Sequence, residues 1–144
     1  MSGSDEVPRA LLERMLSAVN DHDLGAVVSC FSEDYVNETP VHPLRGFSGR
    51  DQVRKNWTQI FAGVPDVHAQ VSRAAVEDDT LWTEWDLSGS RTDGEAFHMR
   101  GVVIFGVAGN HITSASFYLE PVEHATGDVD AATVRLVGTT KESS

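Results

Sequence analysis

Residues Thr80 to Glu120 hold three runs of alternating apolar and polar side chains, and they constrain the fold more than any other part of the chain. Alternation puts these residues on the apolar side: Leu81, Thr83, Trp85 and Leu87, then Phe97, Met99, Gly101, Val103 and Phe105, then Ala115, Phe117 and Leu119. A period of two is typical of a β-strand with one buried face. The breaks at 90–94 and 108–110 carry Asp-Gly and Gly-Asn, which suit tight turns. The stretch therefore predicts an antiparallel meander of three long strands.

Helical patterns dominate the chain before this meander. Apolar stripes predict a helix ending near Asn20, a short second helix from Leu24 through Phe31 that ends near residues 32–34, and a third over Arg50–Ala62. A strand at 35–39, an irregular edge segment at 41–47 and a strand at 67–76 complete the order α-α-β-β-α-β-β-β-β. A strongly curved, mostly antiparallel sheet wrapped around three helices satisfies these faces. We therefore expect a cone-shaped α+β roll whose open end leaves a pocket.

Length and charge narrow the class of protein. The chain has 144 residues, a length that suits one domain, and no apolar run approaches the roughly 20 residues of a membrane span. The first residues lack a basic region followed by an apolar stretch, so we expect a cytoplasmic protein. The net charge of −11 argues against nucleic acid or membrane as a partner. A small molecule, uncharged or cationic, fits better.

The cysteine and histidine patterns do not predict a metal site. Cys30 is the one cysteine and lies among apolar residues, which favours a small buried side chain. The six histidines show neither a His-x-His nor a His-Glu-x-x-His spacing. We therefore expect no metal and no cofactor.

Several segments resemble the nuclear transport factor 2-like superfamily over roughly residues 7–122. They are 18–24 (Ala-Val-Asn-Asp-His-Asp-Leu), 31–34 (Phe-Ser-Glu-Asp), the glycine before the third helix, 100–102 (Arg-Gly-Val) and 117–122 (Phe-Tyr-Leu-Glu-Pro-Val). Within that superfamily the chain is most similar to the SnoaL-like polyketide cyclase and ketosteroid isomerase branch. The resemblance implies one domain over 5–122. After Pro121 the composition shifts to Gly, Asp, Ala and Thr, which indicates a tail over 123–144 with a short helix from Asp128 to Val137. It does not name a reaction, because this fold hosts many.

The resemblance also disfavours two familiar mechanisms. Ketosteroid isomerases use a tyrosine and a protonated aspartic acid as donors, and the matching positions here look like Met15 and Val102. Limonene epoxide hydrolases use an Asp-Arg-Asp set, and those positions look like Trp85, Leu87 and Phe117. Neither set of chemical groups is present.

Glu38 is the best catalytic candidate, because alignment on Pro40 places it at or beside the carboxylate base of ketosteroid isomerases. A carboxyl group facing Trp85, Met99 and Phe117 would be desolvated and suited to proton transfer near neutral pH. If the strand is shifted by one residue, Tyr35 and Asn37 face the ligand instead. Glu38 then points to solvent.

Other candidates fall into two groups. The expected ligand-binding side chains are apolar and face inward: Trp57, Phe61, Trp85, Met99 and Phe117. Secondary polar candidates are His42 in a rim loop, and His98 and Glu120 on the opposite sheet face, where a bulge would let these two pair.

Two functions are open at this point. One is a cofactor-independent enzyme that binds an apolar polyketide, terpenoid or steroid-like molecule and moves a proton to cyclise, isomerise or open it. The other is a non-catalytic ligand-binding or dimerisation module. Val102 and Ile104 would leave an apolar strip on the outer sheet face, so we expect a homodimer. We also expect the tail to pack on the roll through Val134, Leu136 and Val137.

Overall fold

The structure is a computed structural model that describes residues 3–123 and 127–138. Its helices are α1 (Gly3–Asn20), α2 (Leu24–Ser29), α3 (Arg50–Gly63) and α4 (Val129–Val137), with one 3₁₀ turn at Pro43–Arg45. Its strands are β1 (Phe31–Glu38), β2 (Phe47–Ser48), β3 (His68–Glu77), β4 (Thr80–Ser90), β5 (Ala96–Ala108) and β6 (His111–Pro121). Within these described ranges, no helix combines the length and the apolar character needed to cross a membrane.

The six strands form one open sheet in the order β2-β1-β6-β5-β4-β3. The pair β1–β6 is parallel and every other pair is antiparallel. Strands β4, β5 and β6 are the expected meander, and the order of elements is the expected one. The prediction of an α+β roll with a mostly antiparallel sheet is confirmed.

The meander keeps the register that alternation predicts. Across the three strands, Thr83 lies opposite Val103, and Val103 lies opposite Phe117. We call the side that these residues share, which the helices cover, the inner face, and the opposite side the outer face. Buried residues of the inner face, such as Val103 and Phe105, form the core together with the apolar stripe of α1.

The end of α1 is tied to β3 by a side chain rather than by packing alone. The Asn20 amide donates to the carbonyl of Ala69 at 3.0 Å and accepts from the Ala69 N–H at 2.7 Å. His22 follows with a positive φ of 57° and its Nε2 lies 2.9 Å from the Val67 carbonyl. These bonds fix where the helical layer meets the sheet edge.

Gly101 marks the middle of β5, where the strand approaches β6 closely. Its φ is +154°, and a Cβ added there would lie 2.1 Å from the Tyr118 carbonyl oxygen. No side chain fits at that distance, so glycine is needed here for space as well as for conformation.

The tail contains a helix, but the helix does not pack as expected. Asp128 caps α4 through a 3.0 Å bond from the Ala131 N–H, and Gly138 ends it. Val134, Leu136 and Val137 are 38%, 86% and 58% exposed. The expected packing of these side chains on the roll is therefore wrong: local propensity forms the helix without supplying a partner. Residues 124–126 and 139–144 of the expected tail lie outside the described residues.

Candidate functional site

Strand β1 turns Tyr35 and Asn37 toward the inner face and Glu38 away from it. Tyr35 is 1% exposed and Asn37 is 8% exposed, whereas Glu38 is exposed. The ring of Tyr35 packs edge-on against Phe31, with ring centroids 4.8 Å apart. An inward Glu38 would move this aromatic ring into solvent, because neighbouring residues of a strand face opposite sides. The expected inward orientation of Glu38 is wrong, and the shifted register that places Tyr35 and Asn37 inside is confirmed.

Tyr35 and Asn37 form a hydrogen-bonded pair. The Tyr35 hydroxyl donates to Asn37 Oδ1 at 2.7 Å. Burial raises the pKa of Tyr35, so the phenol stays neutral and acts as a donor. Asn37 Nδ2 donates to Thr39 Oγ1 over a long 3.5 Å. An amide nitrogen carries two N–H groups, so Asn37 has donor capacity left for a ligand.

The expected ligand-binding side chains fall into two groups that differ in burial. Trp57, Phe61, Met99 and Phe117 are half-buried and pack against the core. We call these four side chains the inner wall. Trp57 and Phe61 stack at a tilt with ring centroids 5.6 Å apart. The inner wall is the part of the predicted set that keeps some surface uncovered by the core.

Trp85 belongs to the core instead. It is 5% exposed, and its Nε1 donates to Thr83 Oγ1 at 2.7 Å. Thr83 Oγ1 donates in turn to the Val103 carbonyl at 2.7 Å. Because both polar groups are satisfied within the protein, the geometry gives them a structural role.

The secondary candidates lie on or beside the outer face, paired differently from the expectation. His98 Nε2 lies 3.1 Å from Asp86 Oδ2, which also contacts Arg100 Nε at 3.2 Å. His42 Nε2 lies 2.9 Å from Glu120 Oε2. The alternative in which a bulge lets His98 pair with Glu120 is therefore wrong. The loop after β1 brings His42 to the end of β6, a proximity that alternation along one strand cannot show.

The inner face offers hydrogen bonds rather than acid–base groups. Within the part of the chain that the structure describes, Asn37 and Thr83 are the buried polar residues, and no Asp, Glu or His is buried. Among residues 3–123 and 127–138, no three His, Cys, Asp or Glu side chains are placed to hold a metal ion. The arrangement can bind and polarise an uncharged molecule.

Sequence reasoning missed Thr39, the residue between Glu38 and Pro40. In the structure it partners the Asn37 amide at the end of β1. Tyr35 could have indicated which side of β1 is buried, and with it that Asn37 faces inward. A large aromatic side chain is a stronger indicator of the buried side of a strand than a proline at its end.

Comparisons with known proteins support the fold. A model of the SnoaL-like domain matches residues 12–115. No curated protein is significantly similar to the chain. A solved structure described as a SnoaL-like polyketide cyclase, from Jannaschia sp. CCS1, has a TM-score of 0.70 at 14% identity, covering 93% of this chain and 94% of its own.

Two further solved structures share the fold at low identity. An NTF2-like protein from Anabaena variabilis ATCC 29413 has a TM-score of 0.68 at 16% identity, covering 83% of this chain and 90% of its own. A protein described as a ketosteroid isomerase, from Kribbella flavida DSM 17836, has a TM-score of 0.65 at 18% identity, covering 85% of this chain and 83% of its own. Likeness at such identities shows the fold alone. Since the family model covers most of the chain and the structure has the matching roll, the chain belongs to the SnoaL-like domain family, with the nuclear transport factor 2-like fold.

Proposed function

We propose that the protein binds a small, largely apolar, uncharged molecule against the inner wall, with one oxygen of that molecule accepting a hydrogen bond from Asn37. The observation that carries this proposal is the buried Tyr35–Asn37 pair on the inner face of β1, whose neighbouring strand β6 carries the half-buried Phe117. Small-molecule sites typically combine an apolar lining with a few placed polar groups. Tyr35 holds the Asn37 oxygen, which leaves the Asn37 nitrogen to donate.

The electrostatics favour an uncharged ligand. No Asp, Glu, His, Lys or Arg side chain within the described ranges is buried, so a charged ligand would be desolvated beside Asn37 without a counter-charge. A carbonyl or hydroxyl oxygen needs only the hydrogen bond that the Asn37 amide supplies.

Two matched probes test the proposal. 2-Acetylnaphthalene carries a carbonyl acceptor, and 2-ethylnaphthalene has nearly the same shape without one. Equilibrium dialysis should show that the wild type binds the acetyl probe roughly 2- to 10-fold more tightly, the value of one net hydrogen bond. Asn37→Leu should remove that preference while still binding the ethyl probe.

Glu38→Gln is the matched control, because the neighbouring side chain points away from the inner face. It should keep the preference of the wild type. If the wild type binds both probes equally, Asn37 does not contact the ligand. If Glu38→Gln loses the preference instead, Glu38 and not Asn37 faces the ligand in solution.

A second candidate function is catalysis without a cofactor, as an isomerase or cyclase. In its support, proteins described as a ketosteroid isomerase and a SnoaL-like polyketide cyclase share the fold. An N–H donor aimed at a carbonyl oxygen also stabilises the enolate that forms when a proton leaves the adjacent carbon. Because Glu38 is on the other side of β1, water or buffer would take the proton.

Exchange of the acetyl protons of 2-acetylnaphthalene for deuterium measures this chemistry directly. In D₂O, the wild type should accelerate loss of the methyl proton signal over buffer, and Asn37→Leu should lose most of that acceleration. Equal rates with wild type, Asn37→Leu and buffer would leave binding without catalysis.

A further inference from the structure

A groove of about 590 Å³ lies between α3 and the turn that joins β4 to β5. Ile60 and Phe97, both half-buried, supply its apolar floor. Its volume is within the range of small-molecule sites. Its lining residues include neither Asn37 nor any side chain of the inner wall, so the groove differs from the proposed Asn37 site.

Hydrogen bonds donated by backbone N–H groups hold the two walls of this groove together. The Thr92 N–H donates to the carbonyl of Gly63 at 3.1 Å. The Ser90 N–H donates to Asp66 Oδ1 at 2.7 Å, which anchors the start of the turn to the segment after α3. The groove is therefore preformed, and a ligand would not have to order its walls.

One wall presents two carboxamides on successive turns of α3. Asn56 Oδ1 accepts from Gln52 Nε2 at 2.9 Å, which leaves the Asn56 nitrogen as a donor. Gln59 is exposed and lines the same wall, so it can both donate and accept.

The other wall presents an ion pair. Arg91 bonds to Asp93, and the Glu95 N–H donates to Asp93 Oδ1 at 3.0 Å. The backbone bond from Glu95 and the Arg91 guanidinium lower the pKa of Asp93. This wall is thus neutral overall, and it offers guanidinium donors beside carboxylate acceptors.

We propose that this groove binds a neutral polyhydroxylated ring of the hexose type. Each hydroxyl both donates and accepts, which matches walls that carry amide donors, an amide acceptor and a paired guanidinium and carboxylate. The C–H face of such a ring is apolar and suits a floor of Ile60 and Phe97. An anionic ligand fits less well, because the lining cation Arg91 already has Asp93 as its counter-charge.

Methyl β-D-glucopyranoside is the probe, and the side-chain amide signals in a ¹H–¹⁵N correlation spectrum are the readout. The Asn56 and Gln59 amide signals should shift saturably with the glucoside, and the Asn37 signal should not. The double variant Asn56→Leu/Gln59→Met keeps similar volumes without the amides. Its affinity, read from the backbone N–H signals of Thr92 and Asp93, should be at least about 10-fold weaker than that of the wild type. Thr58→Val, an exposed change on the same helix outside the groove, should bind like the wild type.

Saturable shifts confined to the groove, lost in the double variant, support the proposal. Absence of saturable shifts at Asn56 and Gln59 overturns it, as does methyl β-D-glucuronide binding more than about 10-fold tighter than the glucoside, which would make Arg91 an anion site. Either outcome leaves the Asn37 proposal standing, because that proposal is read from different signals with naphthalene probes.

Discussion

The side chain of Tyr35 decides which residues of β1 can meet a ligand. Its burial at 1% exposure fixes the parity of the strand, which turns Asn37 inward and Glu38 outward. Burial keeps the hydroxyl neutral, and the hydroxyl donates its hydrogen bond to Asn37 Oδ1. The same tyrosine therefore supports the fold and orients the group that we propose contacts the ligand.

Tyr35→Phe should cost about 1 kcal/mol of unfolding free energy near pH 8, because the Asn37 oxygen loses its donor. The folded pKa of Tyr35 is raised, so its contribution is full below the unfolded pKa of about 10 and is lost as pH rises above it. The wild type should lose up to about 1.4 kcal/mol per pH unit from this residue above pH 10, and the variant should not.

Urea unfolding at several pH values between 8 and 11 measures that difference. Tyr118→Phe is the control, because Tyr118 is 40% exposed. If Tyr35→Phe and the wild type fall in parallel with pH, the phenol ionises as freely in the folded state as in the unfolded state.

The candidate site was only partly predictable from these residues. Alternation identified Met99 and Phe117 as inward because their strands are long and their apolar residues frequent. The short strand β1 carries few such residues, so the proline could fix where it ends without fixing which side faces inward. The pairing of His42 with Glu120 spans 78 positions and depends on the loop path.

Gly101, at the centre of β5, lets this strand approach the backbone of β6 closely. Alternation predicted the strand and its partners correctly, since the apolar side of each run is unambiguous. It could not predict that the backbone of β6 comes within 2.1 Å of a Cβ position. That close approach depends on how β5 and β6 pair, and the sequence of one strand does not determine it.

Gly101→Ala should destabilise the fold by about 3 kcal/mol or more, because the added Cβ must displace the Tyr118 backbone. Gly63→Ala is the control: its added Cβ meets nothing within 4 Å, so it should stay within about 1 kcal/mol of the wild type. The melting temperatures of both variants measure this difference in stability. Equal melting temperatures would mean that β5 and β6 can separate locally at no cost.

A chain ending at Glu123 should melt like the full-length protein, because the apolar side chains of α4 are exposed and its removal uncovers no core. The sequence predicted this helix from its cap and spacing but not its lack of packing, since propensity is local and docking is not. A melting temperature several degrees lower would show that α4 packs on the roll in solution.

The outer face carries an apolar surface that stays exposed to solvent in a monomer. Trp82 and Tyr118 are 43% and 40% exposed there, beside the apolar Val102 and Ile104. Exposed apolar area of this kind favours association, and a two-fold dimer would cover the same patch on both copies. The homodimer stays a prediction.

Light scattering after gel filtration should report about twice the 15.7 kDa chain mass at tens of micromolar. Ile104→Glu should shift the mass to that of one chain without changing the circular dichroism spectrum, because a charge in a closed interface is costly while the monomer fold leaves the site partly exposed. A wild-type monomer at this concentration would contradict the prediction.

The side-chain amide signal of Asn37 reports whether this group contacts a bound ligand, as the proposed function requires. In ¹H–¹⁵N spectra, titration with 2-acetylnaphthalene should move the Asn37 N–H₂ pair saturably and downfield, and 2-ethylnaphthalene should move it far less. The backbone signals of α4 should stay in place throughout. An Asn37 signal that responds equally to both probes, or to neither while the acetyl probe binds, would contradict the account.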